Sequence, residues 1–243
     1  MNSNRSLMTM LVAAVFFVMI GAPIVSGATL NEEIRAVWEA RQSRASSFIV
    51  TWEEDRTTMQ YDSQIERTVE STHAINYRFA CFDNKVNFVR QGMEFDMDKV
   101  KFVPKKYTLV FDGEMRRELY EKPAYGDHPG GFLNDSGVIC DSNSFQMEPI
   151  ILTFRPLTQR MGGVDPTEWA VSDRRGVVEG IPCRVLERPL GTSVTEYLWL
   201  ADGSDFRVLR HEQLRRGQVE FQITTTYRGG GVTCNVPDSW TAV

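Results

Sequence analysis

The stretch QVEFQITTTYR, residues 218–228, decides the fold. Val219, Phe221, Ile223, Thr225 and Tyr227 fall on one side of an extended chain, and Glu220, Gln222, Thr224, Thr226 and Arg228 on the other. A period of two, with one apolar and one polar side, is what an antiparallel strand with one wet face requires. Working back along the chain, Ile181–Arg188, Thr195–Leu200 and Phe206–Leu214 also read as strands. Turn signals separate them at Glu179-Gly180, at Gly191, at Ala201–Asp205 (ADGSD) and at Arg215–Gly217 (RRG). This spacing leaves no room for crossover helices and excludes a parallel βαβ architecture. Working forward, Val236–Trp240 (VPDSW) reads as the entry to a further strand that does not continue.

The same logic organises the first half. Leu30–Ser47 is expected to form an amphipathic helix. Leu30, Ile34, Val37, Trp38 and Arg41 recur at helical spacing, and Asn31, Glu32 and Glu33 supply a capped, dipole-favoured start. Trp38 is read as the anchor that docks this helix on a sheet. Strands follow. Phe48, Val50 and Trp52 alternate with Ile49, Thr51 and Glu53, and His73, Ile75, Tyr77, Phe79 and Cys81 share a face. Asp83-Asn84 turns the chain into Val86–Arg90. Asp112-Gly113 is expected to join Tyr107–Phe111 to Glu114–Tyr120 in a hairpin whose two central residues have positive φ. The basic run Lys99–Lys106 reads as solubilising surface. Residues 121–145, rich in Gly, Pro, Asp, Asn and Ser, read as an irregular insertion, and Pro149–Phe154 as a short helix with proline in its first turn.

Composition bounds the function. The chain has 243 residues, 42% of them hydrophobic and 24% charged, which is a globular composition and excludes disordered, collagenous and coiled-coil classes. A net charge of −5 argues against a nucleic-acid partner, because phosphate binding needs clustered Lys and Arg. Residues 1–27 carry a single charge, Arg5, ahead of the apolar run Leu11–Ile20, and the small residues Ser26-Gly27-Ala28 follow at the expected cleavage point, the pattern of a secretory signal peptide. An uncleaved membrane anchor is the alternative, and the sole route to membrane association. Residues 28–243 are expected to be a single exported domain of the periplasm or cell envelope. Cys81, Cys140, Cys183 and Cys234 permit two disulfides in three connectivities, or buried thiols, and their spacing matches no zinc or redox motif.

No catalytic motif is present: there is no G-x-S-x-G, P-loop or G-x-G-x-x-G. No metal site and no cofactor are expected, since His73, His128 and His211 lie at no ligand spacing from one another. His211 is read as facing solvent between Arg210 and Glu212. His128 with Asp127, Asp135, Cys140 and Asp141 forms the one loop cluster of potential ligands or hydrolase groups. The aromatic residues carry more. Phe48-Ile49-Val50 and Tyr197-Leu198-Trp199-Leu200 read as strands apolar on both faces. A curved sheet with an apolar concave face is how a protein holds an acyl chain. The candidate ligand face is Phe48, Trp52, Tyr77, Phe79, Trp199 and Phe221.

The order of a Trp-bearing helix, Phe48–Trp52 (FIVTW), Glu179–Glu187 (EGIPCRVLE), Tyr197–Leu200 (YLWL) and Phe206–Glu212 (FRVLRHE) resembles the superfamily of periplasmic outer-membrane lipoprotein carriers and the related sigma-E regulatory sensor. The resemblance implies an α+β fold: a curved antiparallel sheet, an incomplete β-barrel, with the N-terminal helix and the short middle helix covering one side. It implies a non-catalytic protein that binds a hydrophobic small molecule or a lipidated protein. An envelope sensor or scaffold that binds a partner protein is the second reading, and a hydrolase the third.

Overall fold

The computed structural model describes residues 7–11, 29–62, 67–96, 101–120, 130–134, 146–227 and 236–242. The chain divides into two units, one built on residues 47–137 with the first residues of the chain, the other on residues 14–46 and 138–243. Both are antiparallel, and neither sheet is closed. The sequence pattern pointed to one curved sheet, whereas the strands pair as two.

The first unit is a meander of seven strands in chain order. They are β1 (Leu7–Leu11), β2 (Ser47–Asp62), β3 (Arg67–Phe82), β4 (Lys85–Asp96), β5 (Lys101–Phe111), β6 (Arg116–Tyr120) and β7 (Gly130–Asn134). β2 and β3 are matched over sixteen residue pairs, from Ser47↔Phe82 to Asp62↔Arg67. Lys101–Lys106 of the basic run form the first half of β5, paired with β4 from Asp96↔Lys101 onward, and residues 99–100 lie outside the described residues. Asp83-Asn84 is a two-residue turn between the paired Phe82 and Lys85, with Asp83 at φ 53°.

The Asp-Gly hairpin opens wider than expected. Phe111 pairs with Arg116, so the loop has four residues, and only Gly113, at φ 107°, is left-handed there. The reason is the Asp112 carboxylate, whose Oδ1 accepts from the backbone N–H of Glu114 at 3.0 Å and of Met115 at 2.8 Å. Those bonds, Met115 first, hold its carboxyl below the usual aspartate range. A side chain that satisfies two amides replaces the tight turn with an Asx-type loop. The turns with both residues at positive φ are instead Glu179-Gly180 (49° and 79°) and Arg216-Gly217 (52° and 79°).

The second unit holds both helices, α1 (Leu30–Arg44) and α2 (Glu148–Phe154), and six strands. These are β8 (Ala170–Val178), β9 (Ile181–Leu190), β10 (Val194–Ala201), β11 (Val208–Arg215), β12 (Gln218–Tyr227) and β13 (Pro237–Ala242), again neighbours in chain order. The strand begun at Val236 does continue: β13 pairs with β12 and buries Trp240 opposite Thr225. The alternation in β12 is interrupted by a bulge, because Gln213 pairs with Phe221 while the next residue, Leu214, pairs with Val219. Val219 is exposed as a result.

The cap of α1 is Thr29, two residues before the Asn31 that the Asn-Glu-Glu start suggested. The Thr29 hydroxyl oxygen accepts from the Glu32 N–H at 3.4 Å, and the Thr29 N–H donates to the Glu32 carboxylate at 2.7 Å, a capping box. Asn31 donates instead to the Trp169 carbonyl at 2.7 Å. Ile34 and Trp38 bury the inner face of α1 against Leu186, Leu198, Leu200, Phe206 and Val208 of the sheet side, with Leu152 of α2 and Trp169. The Trp38 indole N–H donates to the Phe206 carbonyl at 3.0 Å, and Arg41 donates to the Asp205 carbonyl. Phe206 sits at φ 44°, an uncommon conformation for a bulky residue. The helix therefore grips the turn between β10 and β11 by its backbone.

Trp38 is fully buried and carries both the packing and a hydrogen bond. Trp38→Ala should cost about 3–5 kcal/mol and Trp38→Phe about 1–3 kcal/mol, the latter from the carbonyl left without its donor. Urea denaturation of the two variants against the parent measures both.

Candidate functional site

The inner face of the seven-stranded unit carries a ladder of rings. Trp52 on β2 pairs across with Tyr77 on β3, then Arg90 on β4 and Tyr107 on β5. The Trp52 and Tyr77 rings stack at 5.0 Å and 7°. Phe88 lies one row over, 6.1 Å from Trp52, 5.9 Å from Tyr77 and edge-on to Tyr107 at 6.2 Å. Phe48 stacks on Phe79 at 5.8 Å. Trp52, Tyr77, Phe79 and Phe88 are buried. Ring pairs at these distances add about 0.5–1.5 kcal/mol each beyond the area they bury.

β2 is not apolar on both sides in the sense its sequence suggested. Phe48, Val50 and Trp52 point inward, whereas Ile49 is 45% exposed among Thr51, Glu53 and Asp55 on the wet face. β10 does match: Leu198 and Leu200 are buried in the helix-covered core, and Tyr197 and Ala201 are buried on the other side.

The ladder ends in a polar group. Glu54, one step along β2 on the same face, is 4% exposed and accepts from the Tyr77 hydroxyl. Arg56 closes the triangle as a fork, Nε to Oε1 at 3.0 Å and Nη2 to Oε2 at 3.1 Å, with Nη2 also 3.3 Å from the Tyr77 oxygen. Burial, and then the Glu54 charge, drive the Tyr77 phenol far above its ordinary range. Further along, His73 Nε2 lies 2.6 Å from Ser71 Oγ, and the His73 ring packs on Phe102 at 3.7 Å. At the other end of the face Arg116 and Glu118 pair at 2.5 Å. The structure thus brings together four of the six expected ligand residues, Phe48, Trp52, Tyr77 and Phe79, and adds Phe88 and Tyr107. Phe88 is recoverable from the Val86–Arg90 alternation, but the Glu54–Arg56–Tyr77 group becomes visible only through strand pairing.

The remaining two belong to the second unit and lie on opposite faces of its sheet. Trp199 sits with its ring on Gly176, where a Cβ would meet its Cζ3 at 2.7 Å, and under the Arg210 guanidinium at 5.5 Å. Phe221 is on the α2 side, edge-on to His211 at 5.9 Å. His211 is not solvent-facing as its polar neighbours suggested. Its side chain is 15% exposed and its Nδ1 meets the Glu148 carboxylate of α2. A bulge at Trp199/Leu200 sets this register, so that Leu198 pairs with His211.

No group of three or more His, Cys, Asp or Glu able to hold a metal occurs among the described residues, and His128, Asp127, Asp135, Cys140 and Asp141 lie outside them. Cys81 and Cys183 are buried thiols that donate to carbonyls two residues away, each at 3.3 Å, while Cys140 and Cys234 lie outside the described residues. Burial pushes the Cys183 thiol up, away from the reactive thiolate. An open depression of about 430 Å³ lies at the tip of the β11–β12 hairpin, lined by Arg215, Arg216, Gln218, Val219 and Glu220. No helix among the described residues is long and apolar enough to cross a membrane. The chain matches no family model, no curated protein and no solved structure with which it was compared.

Tyr77 and the buried Tyr227 both have phenols pushed up by burial. The unfolded chain releases those protons near pH 10 and the folded chain does not, so stability should fall as pH rises above about 10. Absorbance at the phenolate band should show fewer than the seven tyrosines ionising until the chain unfolds, and Tyr77→Phe should remove one of the late protons.

Proposed function

We propose that the chain is an exported, non-catalytic binding protein for a hydrophobic ligand, a lipid or a lipoprotein acyl chain. Its site is the inner face of the seven-stranded unit. The observation that carries this reading is the ring ladder Trp52, Tyr77, Phe88 and Tyr107 with Phe48 on Phe79, bounded by the ionic group Glu54–Arg56–Tyr77. Rings offer an acyl chain broad contact without polar groups that would lose water. The ionic group offers hydrogen-bond donors and acceptors for a head group at one end. About ten methylenes buried against such a face contribute roughly 8 kcal/mol of gross transfer free energy, from which the costs of association and of uncovering the rings are subtracted.

Rings that are already buried receive a ligand only when what covers them gives way. Uptake is therefore expected to be slower than diffusion and to accelerate under mild destabilisation, the behaviour of a closed site that must open. The export half of the reading rests on residues 1–27. Cleavage there would remove β1 and leave β2 as the edge of the sheet.

Purified protein should carry lipid that mass spectrometry of an organic extract detects. It should also take up a fluorescent acyl probe, with Phe88→Leu and Trp52→Phe each weakening uptake several-fold while the chain stays folded. An empty extract together with no uptake overturns the proposal. Expression in a Gram-negative host should give a periplasmic protein whose intact mass lacks the first 27 residues or a number close to it. A cytoplasmic full-length product would remove the exported part.

A further inference from the structure

We propose that His211 is a pH-operated latch that holds α2 on the six-stranded sheet and releases it as pH rises. The inference is independent of the binding reading, since it concerns other residues and needs no ligand.

α2 is about two turns long, far too short to be stable alone, so its helical state depends on docking. Pro149, Ile150, Ile151, Leu152 and Thr153 are all buried, and the helix packs on β11 and β13. Two polar ties reach it from the sheet. One is neutral: Thr153 Oγ1 lies 3.1 Å from the Tyr227 hydroxyl, which itself donates to the Val208 carbonyl at 2.9 Å. The other is ionic: Glu148, in the first turn, meets His211 Nδ1.

The surroundings of His211 favour the imidazolium. Nδ1 faces Glu148 from α2, and Nε2 lies 3.9 Å from Glu196 Oε1 on β10. Arg188 on β9 holds the other Glu196 oxygen at 3.1 and 2.7 Å, and Glu168 approaches Arg188 at 3.7 Å. From β12 the neighbours are Ile223, paired with His211, and the Phe221 ring, neither of which titrates. Both ring nitrogens thus face carboxylates. Only the imidazolium carries a proton on each, and a neutral ring must turn one lone pair toward a carboxylate oxygen. Burial, and to a lesser degree the Arg188 charge, pull the imidazole down, but Glu148 and then Glu196 outweigh them, so the group stays protonated to a higher pH than a free imidazole.

The sign follows from linkage. The latch contributes in full below the unfolded imidazole value of about 6.5 and is lost as pH rises through the raised folded value. Losing it leaves Glu148 facing an uncharged ring at a partly buried position, and α2 retains only the neutral Thr153–Tyr227 tie and its apolar packing.

Hydrogen exchange on the full chain from pH 5 to 9 tests this at the amides of Ile151 and Arg155, which close the α2 turns on Met147 and Ile151. Their protection, relative to an unstructured reference, should be lost progressively as pH rises, while amides of β9 and β10 keep theirs. His211→Gln and Glu148→Gln should each abolish the pH dependence. Protection that does not vary with pH in the parent, or that still varies in His211→Gln, overturns the latch. Should the variants fail to fold, proton NMR of the parent decides. His211, one of three histidines, must titrate above 6.5, and a value at or below it overturns the proposal.

Discussion

A long antiparallel sheet must hide one of its faces, and any charge left on the hidden side must bring its partner with it. Each unit of this protein meets that requirement in its own way. In the seven-stranded unit the hidden face is a field of aromatic rings whose charged residues are paired in place, Glu54 with Arg56 and Tyr77, and Arg116 with Glu118. In the six-stranded unit the hidden face is closed by α1 and α2. Its charged residues, His211, Glu148, Glu196 and Arg188, lie where the short helix meets the sheet. An unpaired charge at any of these positions would cost several kcal/mol, a sizeable share of a domain's whole stability.

Most of the local structure was legible in the sequence because it depends on neighbours in the chain. The period-two alternation of residues 218–228 gave β12, the Trp38 stripe gave α1, and Pro149 before Ile-Ile-Leu gave α2. Turn chemistry was legible in kind but not in detail. Asp112-Gly113 opened to four residues because a carboxylate captured two amides, while Glu179-Gly180 and Arg216-Gly217 took the tight left-handed form. What stayed hidden depends on register. Ile49 looks like its apolar neighbours until strand pairing assigns it to the wet face. His211 looks like solvent-facing surface between Arg210 and Glu212 until a bulge at Leu209 of β11 aims it at α2. The division of the strands into two sheets is a long-range property that no local pattern carries. Of the six residues expected to form the ligand face, the four that precede residue 80 share one surface, and Trp199 and Phe221 lie on opposite sides of the other sheet.

Buried ion pairs rarely stabilise a fold more than apolar residues of the same volume would, so their presence calls for another reason. In the β2–β3 ladder the position of the pair bears on register. Residues 53–55 read Glu-Glu-Asp, so a slip of one position would turn Glu54 out and carry Glu53 and Asp55 onto the buried face. The same slip would turn Arg56 out together with Glu54, leaving the Tyr77 hydroxyl to satisfy one inward carboxylate but not the second. The penalty for burying the second falls on every pairing slipped by an odd number of residues and spares the native one, along a run of sixteen residue pairs. The same charges that hold the ring ladder in line also place a forked guanidinium and a phenol at its end. A requirement of folding thus leaves a guanidinium, a carboxylate and a phenol beside an apolar surface, and on the binding reading proposed above the same residues would serve both roles.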